Sequence, residues 1–297
     1  MVDRANILPQ NGQIIQKNTI LSRRISPLLQ IIHRDPAGRT AIDPEEWLSK
    51  FWESASASKL RTPFYLAAHP WLTARAARCV ARLPCLEARI GDTPEGRIIA
   101  RALDTVCLMK VFTLSRLGAC ILSIPERPSD YSAGASKQTL RRKVRAAEKA
   151  GISCRHIDCE IEQRRLVAML DRAIARKSNP LYREQGSDHS YLIGSGIWTV
   201  AFAPDGEPLV IAVTPRDGRW ALLRAFVSLG ESQERSDARY LLTKAVAERL
   251  SSEGVRHLFD TRGPSQLPNG LRHFQRMLGF RIARVRLVRE PRAGGTA

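Results

Sequence analysis

Acidic residues are scarce in this 297-residue chain: 29 Asp and Glu stand against 47 Lys and Arg, a formal net charge of +18. An excess of that size speaks to partners rather than to fold, and it points to nucleic acid, an anionic membrane surface or phosphorylated ligands. The plain alternative is a soluble protein that simply uses much arginine. No Cys-x-x-Cys pair occurs. Of the six cysteines (Cys79, Cys85, Cys107, Cys120, Cys154, Cys159), only the last two have a histidine nearby, His156, and strand alternation sends Cys154 and His156 to one face and Cys159 to the other. That argues against zinc; no metal is expected, and the cysteines read as free thiols of a reducing compartment. Met1-Val2-Asp3-Arg4 opens without the basic and apolar regions of a secretory signal. No window approaches the ~18 apolar residues of a membrane span. The expected location is therefore cytoplasmic, at most peripheral to a membrane. There is also no Gly-x-Ser-x-Gly, Walker loop or His-Glu-x-x-His, which removes the common hydrolase, nucleotidase and zinc-protease readings. Gly194-Ser195-Gly196 is too short for the first of these and reads as a bulge at a strand start. There is no internal repeat.

What is present is an ordinary apolar content of 43%, enough for a core. Residues 1–43 pattern weakly and read as partly ordered. Pro44 with two following Glu starts a helix carrying Trp47 and Phe51 on one face. Further helices are predicted over Trp71–Leu83 and Pro94–Leu103, and strands over Val106–Leu114 and Ala119–Ile124. Pro125–Gly134 reads as a linker, which divides a helical and strand-bearing region, 1–125, from a second domain, 126–297. The second domain opens on a basic helix, 136–151. Lys137, Arg141, Arg145 and Lys149 recur every four residues there, with Leu140, Val144 and Ala147 on the opposing line. Like charges at that spacing repel, so the stripe points to an anionic partner; a solvated face is the alternative.

From Ile152 the pattern becomes regular. It gives a strand (Ile152–Cys159), a helix (Glu162–Lys177), and three strands (Tyr191–Ala203, Leu209–Thr214, Trp220–Leu229) joined at the hairpin signals Asp205-Gly206 and Asp217-Gly218. A helix follows, capped by Ser236 and ended by Gly254, with Ala238, Leu241, Leu242, Ala245 and Val246 on one face. Then come a strand (Val255–Asp260), a Gly/Pro loop, a short amphipathic helix (Leu271–Leu278) and a last strand (Phe280–Val288). The order β-α-β-β-β-α-β-α-β predicts an α+β fold, a mixed and mainly antiparallel sheet flanked by helices, with a helical N-terminal region.

This order resembles the GNAT superfamily of N-acyltransferases. Gly270-Leu271-Arg272-His273-Phe274-Gln275-Arg276 before Leu278-Gly279-Phe280 looks most like the Fem-type aminoacyl-tRNA-dependent transferases, and so does the basic helix ending in Lys149-Ala150-Gly151. The resemblance implies a donor site at the start of the helix after the fourth strand, where backbone amides cradle phosphate. The corresponding run is Arg235-Ser236-Asp237-Ala238-Arg239-Tyr240. Arg235 fits the acyl-CoA pattern. Ala238 and Tyr240 stand where glycine and a small residue are usual, and Asp237 would repel pyrophosphate. The site thus departs from acyl-CoA use, as it does in Fem-type enzymes. Gln275 stands where those enzymes commonly carry Lys, and Arg276 is the neighbouring substitute. The resemblance also implies carbonyl polarisation by a backbone N–H at a bulge near Ala225–Ser228.

Acyl transfer to an amine needs a proton acceptor, a polarised carbonyl and orientation. Asp260, at a strand end, is the candidate carboxylate; its alternative is a turn residue. His273 is a candidate proton carrier or ordinary surface, and Glu231 and Glu234 are alternative bases. The functional expectation is transfer of an aminoacyl group from aminoacyl-tRNA to a small-molecule or peptide amine, without a bound cofactor. Lys137, Arg141, Arg145 and Lys149 would bind the nucleic acid, and Arg235, Ser236, Ala238, Tyr240 and Arg276 the donor. Two alternatives stay open: an acyl-CoA-dependent N-acyltransferase, and a catalytically silent module that binds RNA or an anionic surface.

Overall fold

The computed structural model describes residues 43–58, 62–108, 112–177, 188–267 and 269–290. All belong to one compact unit, residues 43–297. The expectation for residues 1–42 lies outside the described residues.

The first three helices are α1 (Pro44–Ala57), α2 (Thr62–Ala68) and α3 (Pro70–Arg82). Asp43 caps α1 by accepting from Glu45 N–H at 3.1 Å, and Pro44 takes the first helical position, where its missing N–H does no harm. Trp47 stacks on Phe51 at 5.4 Å inside this helical corner. Next come β1 (Cys85–Ile90), α4 (Pro94–Leu103), β2 (Val106–Leu108), β3 (Phe112–Thr113), the single turn α5 (Leu114–Leu117) and β4 (Ala119–Ser123). The strand expected over Val106–Leu114 is thus a short hairpin plus a helical turn, closed by Leu114 N–H donating to Thr105 O at 2.8 Å. β1 is a strand that periodicity does not suggest.

The remaining elements are α6 (Gln138–Lys149), β5 (Ser153–His156), α7 (Glu160–Ala175), β6 (Ile197–Phe202), β7 (Pro208–Thr214), β8 (Arg216–Asp217), β9 (Trp220–Leu223), β10 (Ala225–Ser228), α8 (Gln233–Ser252), β11 (His257–Asp260), α9 (Asn269–Leu278) and β12 (Arg281–Arg289). The fold is α+β, with mainly antiparallel strands flanked by helices. One sheet has the order β1-β12-β4-β11-β9-β8 and takes strands from both sides of residue 125; the other is β10-β7-β6-β5. Pairing is antiparallel except for β1–β12 and β11–β9.

Strand alternation sorts side chains into three cores. Leu122 and Leu258 of the larger sheet and Val210 and Ala212 of the smaller meet Leu140 and Val144 of α6 and Leu242 and Val246 of α8. Ile121 and Phe259, their strand neighbours, point the other way, to Ile99 and Leu103 of α4. Ile211 and Val213 point to Leu166 and Leu170 of α7. One helical layer therefore covers one face of both sheets. Each fully buried leucine contributes about 1.5–3 kcal/mol.

One ribbon of chain belongs to both sheets. The strand expected to run unbroken over Trp220–Leu229 is divided at Arg224. Its first part, β9, pairs with β11, and its second part, β10, pairs with β7. Val213 faces Ala225 and Arg216 faces Ala221, so three steps on one strand match four on the other. The extra residue is a β-bulge. Arg224 N–H donates to both Val213 O (3.0 Å) and Leu222 O (2.9 Å) there, and Pro215 opposite lacks an N–H to continue the ladder. Glu95 of α4 ties the strands that face the ribbon, accepting from Gly196 N–H just before β6 at 2.8 Å and from Arg216 N–H of β8 at 2.9 Å. Asp217 accepts from Gly91 N–H at 2.8 Å. Gly96 must be glycine here, since a Cβ would lie 2.2 Å from Asp217 Oδ2 and 2.3 Å from Gly91 O.

Two further boundaries differ from expectation. Gly194-Ser195-Gly196 is not a bulge in a strand from Tyr191; positive φ at both glycines (70° and 69°) turns the chain, and the strand begins at Ile197. Helix α8 is capped by Ser232, whose side chain accepts from Arg235 N–H at 3.2 Å, not by Ser236, which lies within the first two turns.

Candidate functional site

Where β10 leaves β11, the ends of the two strands part and a cavity of about 560 Å³ opens between them, closed by the start of α8 and by α9. The bulge at Arg224 is what makes this gap, because it turns β10 toward β7 while β9 stays with β11.

Asp260 ends β11 at the inner side of the cavity. Burial raises its pKa, opposed by the Arg262 N–H, which donates to Oδ1 at 2.9 Å, and by the Arg262 charge. Thr261 Oγ1 donates to the same oxygen at 3.3 Å, and Gln275 Nε2 donates to Oδ2 at 2.5 Å. The carboxylate is thus oriented by three donors and half-buried. Gln275, expected to leave a charge missing at its position, is instead the buried partner of Asp260.

The cavity wall is cationic: Lys177, Arg224, Arg235, Arg239 and Arg262 line it against the carboxylates Glu231 and Asp260. Arg239 lies over the Phe274 ring at 4.1 Å, which fixes its guanidinium by a cation–π contact. Lys177 Nζ donates to Ser228 O at 3.1 Å; burial lowers its pKa, and the Glu231 charge acts against that. Arg235 reaches Glu207 at 3.2 Å, while its buried Nε has no hydrogen-bond partner among the described residues.

His189, which no sequence motif marks, also lines this wall. It is buried, and its Nδ1 lies 2.6 Å from Asp171 Oδ1 of α7. The two are far apart in sequence, so no local signal joins them.

The structure brings Glu231, Arg235, Ser236, Asp260, Gln275 and the segment Ala225–Ser228 to one cavity; Glu234, Ala238, Tyr240, His273, Arg276 and the basic stripe do not line it. Ala238 is fully buried in the core. Tyr240 packs edge-on against Phe274 at 5.0 Å and does not reach the cavity. His273 is exposed on the outer side of α9, because the opposite side of that amphipathic helix carries Phe274 and Leu278 inward. Arg276 is exposed and borders a separate cavity of about 150 Å³, together with Glu45, Arg272 and Arg281; Gln275 touches both cavities. Asp237 is paired with Lys143 at 2.7 Å, so its charge is already met within the fold.

The basic stripe is not uniformly available. Lys137 Nζ donates to Leu278 O and sits 4.5 Å over the Tyr131 ring; burial takes its pKa down to about 8. Arg141 donates to Ser132 O (2.9 Å) and Gly134 O (2.6 Å). These two cations fasten α6 to its neighbours, and Arg145 and Lys149 remain exposed, as does Arg142. Among the described residues there is no cluster of His, Cys, Asp and Glu able to hold a metal, and no helix long and apolar enough to cross a membrane.

No family model matches the sequence, and no curated protein does. Among solved structures, the chain is similar to L-PGS from Bacillus licheniformis, at 14% identity and a TM-score of 0.43 over 56% of this chain and 57% of that one. It is similar, at 11% identity and a TM-score of 0.43 over 56% and 57%, to a conserved protein of unknown function from Bacteroides thetaiotaomicron VPI-5482. A third likeness, at 12% identity and a TM-score of 0.41 over 56% and 58%, is to the C-terminal domain (DUF2156) of a proposed lysylphosphatidylglycerol synthetase from Agrobacterium fabrum. The matched part is a little over half the length of each of those chains.

Proposed function

We propose that this chain is a GNAT-fold, Fem-like transferase that moves an aminoacyl group from aminoacyl-tRNA to an amine and forms an amide bond. The observation that carries the reading is the cleft opened at Arg224, with five cations in its wall and a half-buried, triply oriented carboxylate, Asp260, at its inner end. The cations suit the phosphates near the acceptor end of a tRNA. In the reaction the amine nitrogen attacks the ester carbonyl, Asp260 takes the proton that the nitrogen sheds, and the ribose oxygen leaves with a proton as the C–O bond breaks. A carboxyl held above its usual pKa is a stronger base than a solvated one. Such a donor places the reaction in the cytoplasm.

A second reading, acyl-CoA as donor, is favoured by one feature. Ser232, Arg235 and Ser236 at the start of a 20-residue helix line the cavity, while Ala238 and Tyr240 point away from it. The crowding that those side chains threatened does not arise, and a helix N-terminus beside cations suits pyrophosphate.

Binding of the purified chain to acetyl-CoA and to a charged bulk tRNA pool at moderate salt separates the two. Tight tRNA binding without CoA binding is the expected result, and CoA binding alone transfers the assignment to the second reading. Donor turnover with amine acceptors, and with phosphatidylglycerol added as an alternative acceptor, then tests catalysis. Asp260→Asn is expected to lower turnover about 10²–10⁴-fold and leave donor affinity intact; full turnover in that variant removes Asp260 from its role. A wild-type chain that binds donor and never turns over is a silent binding module.

A further inference from the structure

We propose that the corner formed by α2 and α3 is a docking surface for an anionic lipid bilayer. Between Glu53 and Glu87 the sequence holds no Asp or Glu, while Lys59, Arg61, Arg75, Arg78 and Arg82 fall in that interval. Within it, the two helices expose their largest apolar side chains. Phe64 on α2 is 64% exposed and Trp71 in the first turn of α3 is 76% exposed. Both helices do have a buried side: Tyr65 and Leu66 point inward from α2, and Ala76 from α3. The exposed aromatics are thus not what holds the helices to the molecule.

Helical spacing sets the rest of the face. Trp71, Arg75, Arg78 and Arg82 follow at intervals of four, three and four, which puts them along one side of α3. Arg75 leans over the Trp47 ring at 5.0 Å, while Arg78 and Arg82 are exposed. Among the described residues no carboxylate pairs with any of the three. Exposed Ala74, Ala77 and Ala81 between them leave the helix surface low.

Two solvents are needed to satisfy this face at once: an apolar one for Phe64 and Trp71 and an anionic one for the arginines. The interface of a bilayer with acidic lipid supplies both within a few ångströms, with aromatic rings at headgroup level and guanidinium groups on the phosphates. A nucleic-acid duplex meets the second need and leaves both aromatic rings in water, and unpaired bases that stacked on them would show as loss of tRNA binding in the test below. The exposed cations of α6, Arg142, Arg145 and Lys149, show the contrast, since no aromatic residue accompanies them on that helix. None of the docking residues lines the cavity at Asp260, so this surface stands apart from the reaction proposed above.

The test is flotation of the full chain with vesicles of phosphatidylcholine alone and with phosphatidylglycerol added. It is run at low salt and at about 0.5 M salt, where the Debye length is on the order of 4 Å. Binding is expected to the mixed vesicles only, and to weaken in high salt. Phe64→Ser with Trp71→Ser, both at exposed positions, is expected to keep the circular dichroism spectrum and melting temperature and to lower vesicle binding at least about tenfold; Arg78→Gln with Arg82→Gln is expected to lower it by about tenfold as well. A wild-type chain that ignores the mixed vesicles overturns the proposal, as does a Phe64/Trp71 variant that binds them like wild type. So does either of two other outcomes: that variant losing tRNA binding while vesicle binding stays, or it turning a wild-type dimer into a monomer. Donor turnover enters none of these readings.

Discussion

Asp260 sits where the chemistry proposed for it and its effect on stability conflict. Burial holds its carboxyl above the ordinary value of 3.8. Between the unfolded and folded values the native state keeps a proton that the unfolded chain has lost, so stability falls as pH rises through that window and stays lowered above it. Asp260→Asn keeps the shape and removes the charge. Its melting temperature at pH 7 is expected to equal or exceed that of wild type, while turnover falls about 10²–10⁴-fold. Joint loss of both, measured by calorimetry and single-turnover assay, would make Asp260 a structural residue instead. The position of Asp260 can be read from sequence because a charged residue closing an apolar strand is a local pattern. The identity of its partner cannot. Gln275 lies on another element, and only the packing of α9 against β11 shows that the amide donates to the carboxylate. His189 and Asp171 are hidden for the same reason.

At the scale of the element, α6 shows how a regular charge pattern can mix two roles. Its helix, its apolar line of Leu140, Val144 and Ala147, and its end near Gly151 are all legible, since each depends on residues within a few turns. The division of the cations is not, because it is made by Leu278, Ser132 and Gly134. Two consequences can be measured. Replacing Arg145 and Lys149 with Ala is expected to reduce the salt slope of nucleic-acid binding by about one for each phosphate that is no longer neutralised. Arg141→Ala is expected to leave that slope nearly unchanged and to destabilise the fold by about 1 kcal/mol. An equal slope change in both variants would return Arg141 to the binding face. For Lys137, the folded pKa of about 8 lies below the ordinary value of 10.5. The unfolded chain therefore binds more protons between those values, and stability from this group rises with pH across that range. Lys137→Met should abolish that rise, as seen by urea denaturation at about pH 7.5 and about pH 9.5. Helix α8 teaches a related lesson: Ser232 and Ser236 both suit a cap, and only the loop leading from β10 decides that the helix starts at the earlier one.

For the whole molecule, the element order is legible over most of residues 152–288, and the division into two sheets is not. β1 carries no clear signal because Cys-Leu-Glu-Ala-Arg-Ile on a sheet edge buries only Ala88 and Ile90, and its pairing with β12 joins residues about 200 apart. The break of the third hairpin strand depends on where β11 lies, which no local pattern encodes. Glu95 is the tie that this arrangement relies on. Glu95→Ala leaves two backbone N–H groups without their carboxylate and is expected to lower the unfolding free energy by about 2–3 kcal/mol, read as a lower urea midpoint at unchanged slope. A loss below a few tenths would mean that water replaces the carboxylate fully.

The ribbon that runs through both sheets also sets the mechanics of the cleft. Its first half, β9, is held between β8 and β11, and its second half, β10, is held by β7, so the two halves belong to different sheets and meet at Arg224. At that junction the Arg224 N–H reaches both Val213 O of the facing strand and Leu222 O of its own. In the function proposed above, a bulky donor seated in the cleft is expected to load this junction first, which ties the width of the mouth to the bulge at Arg224.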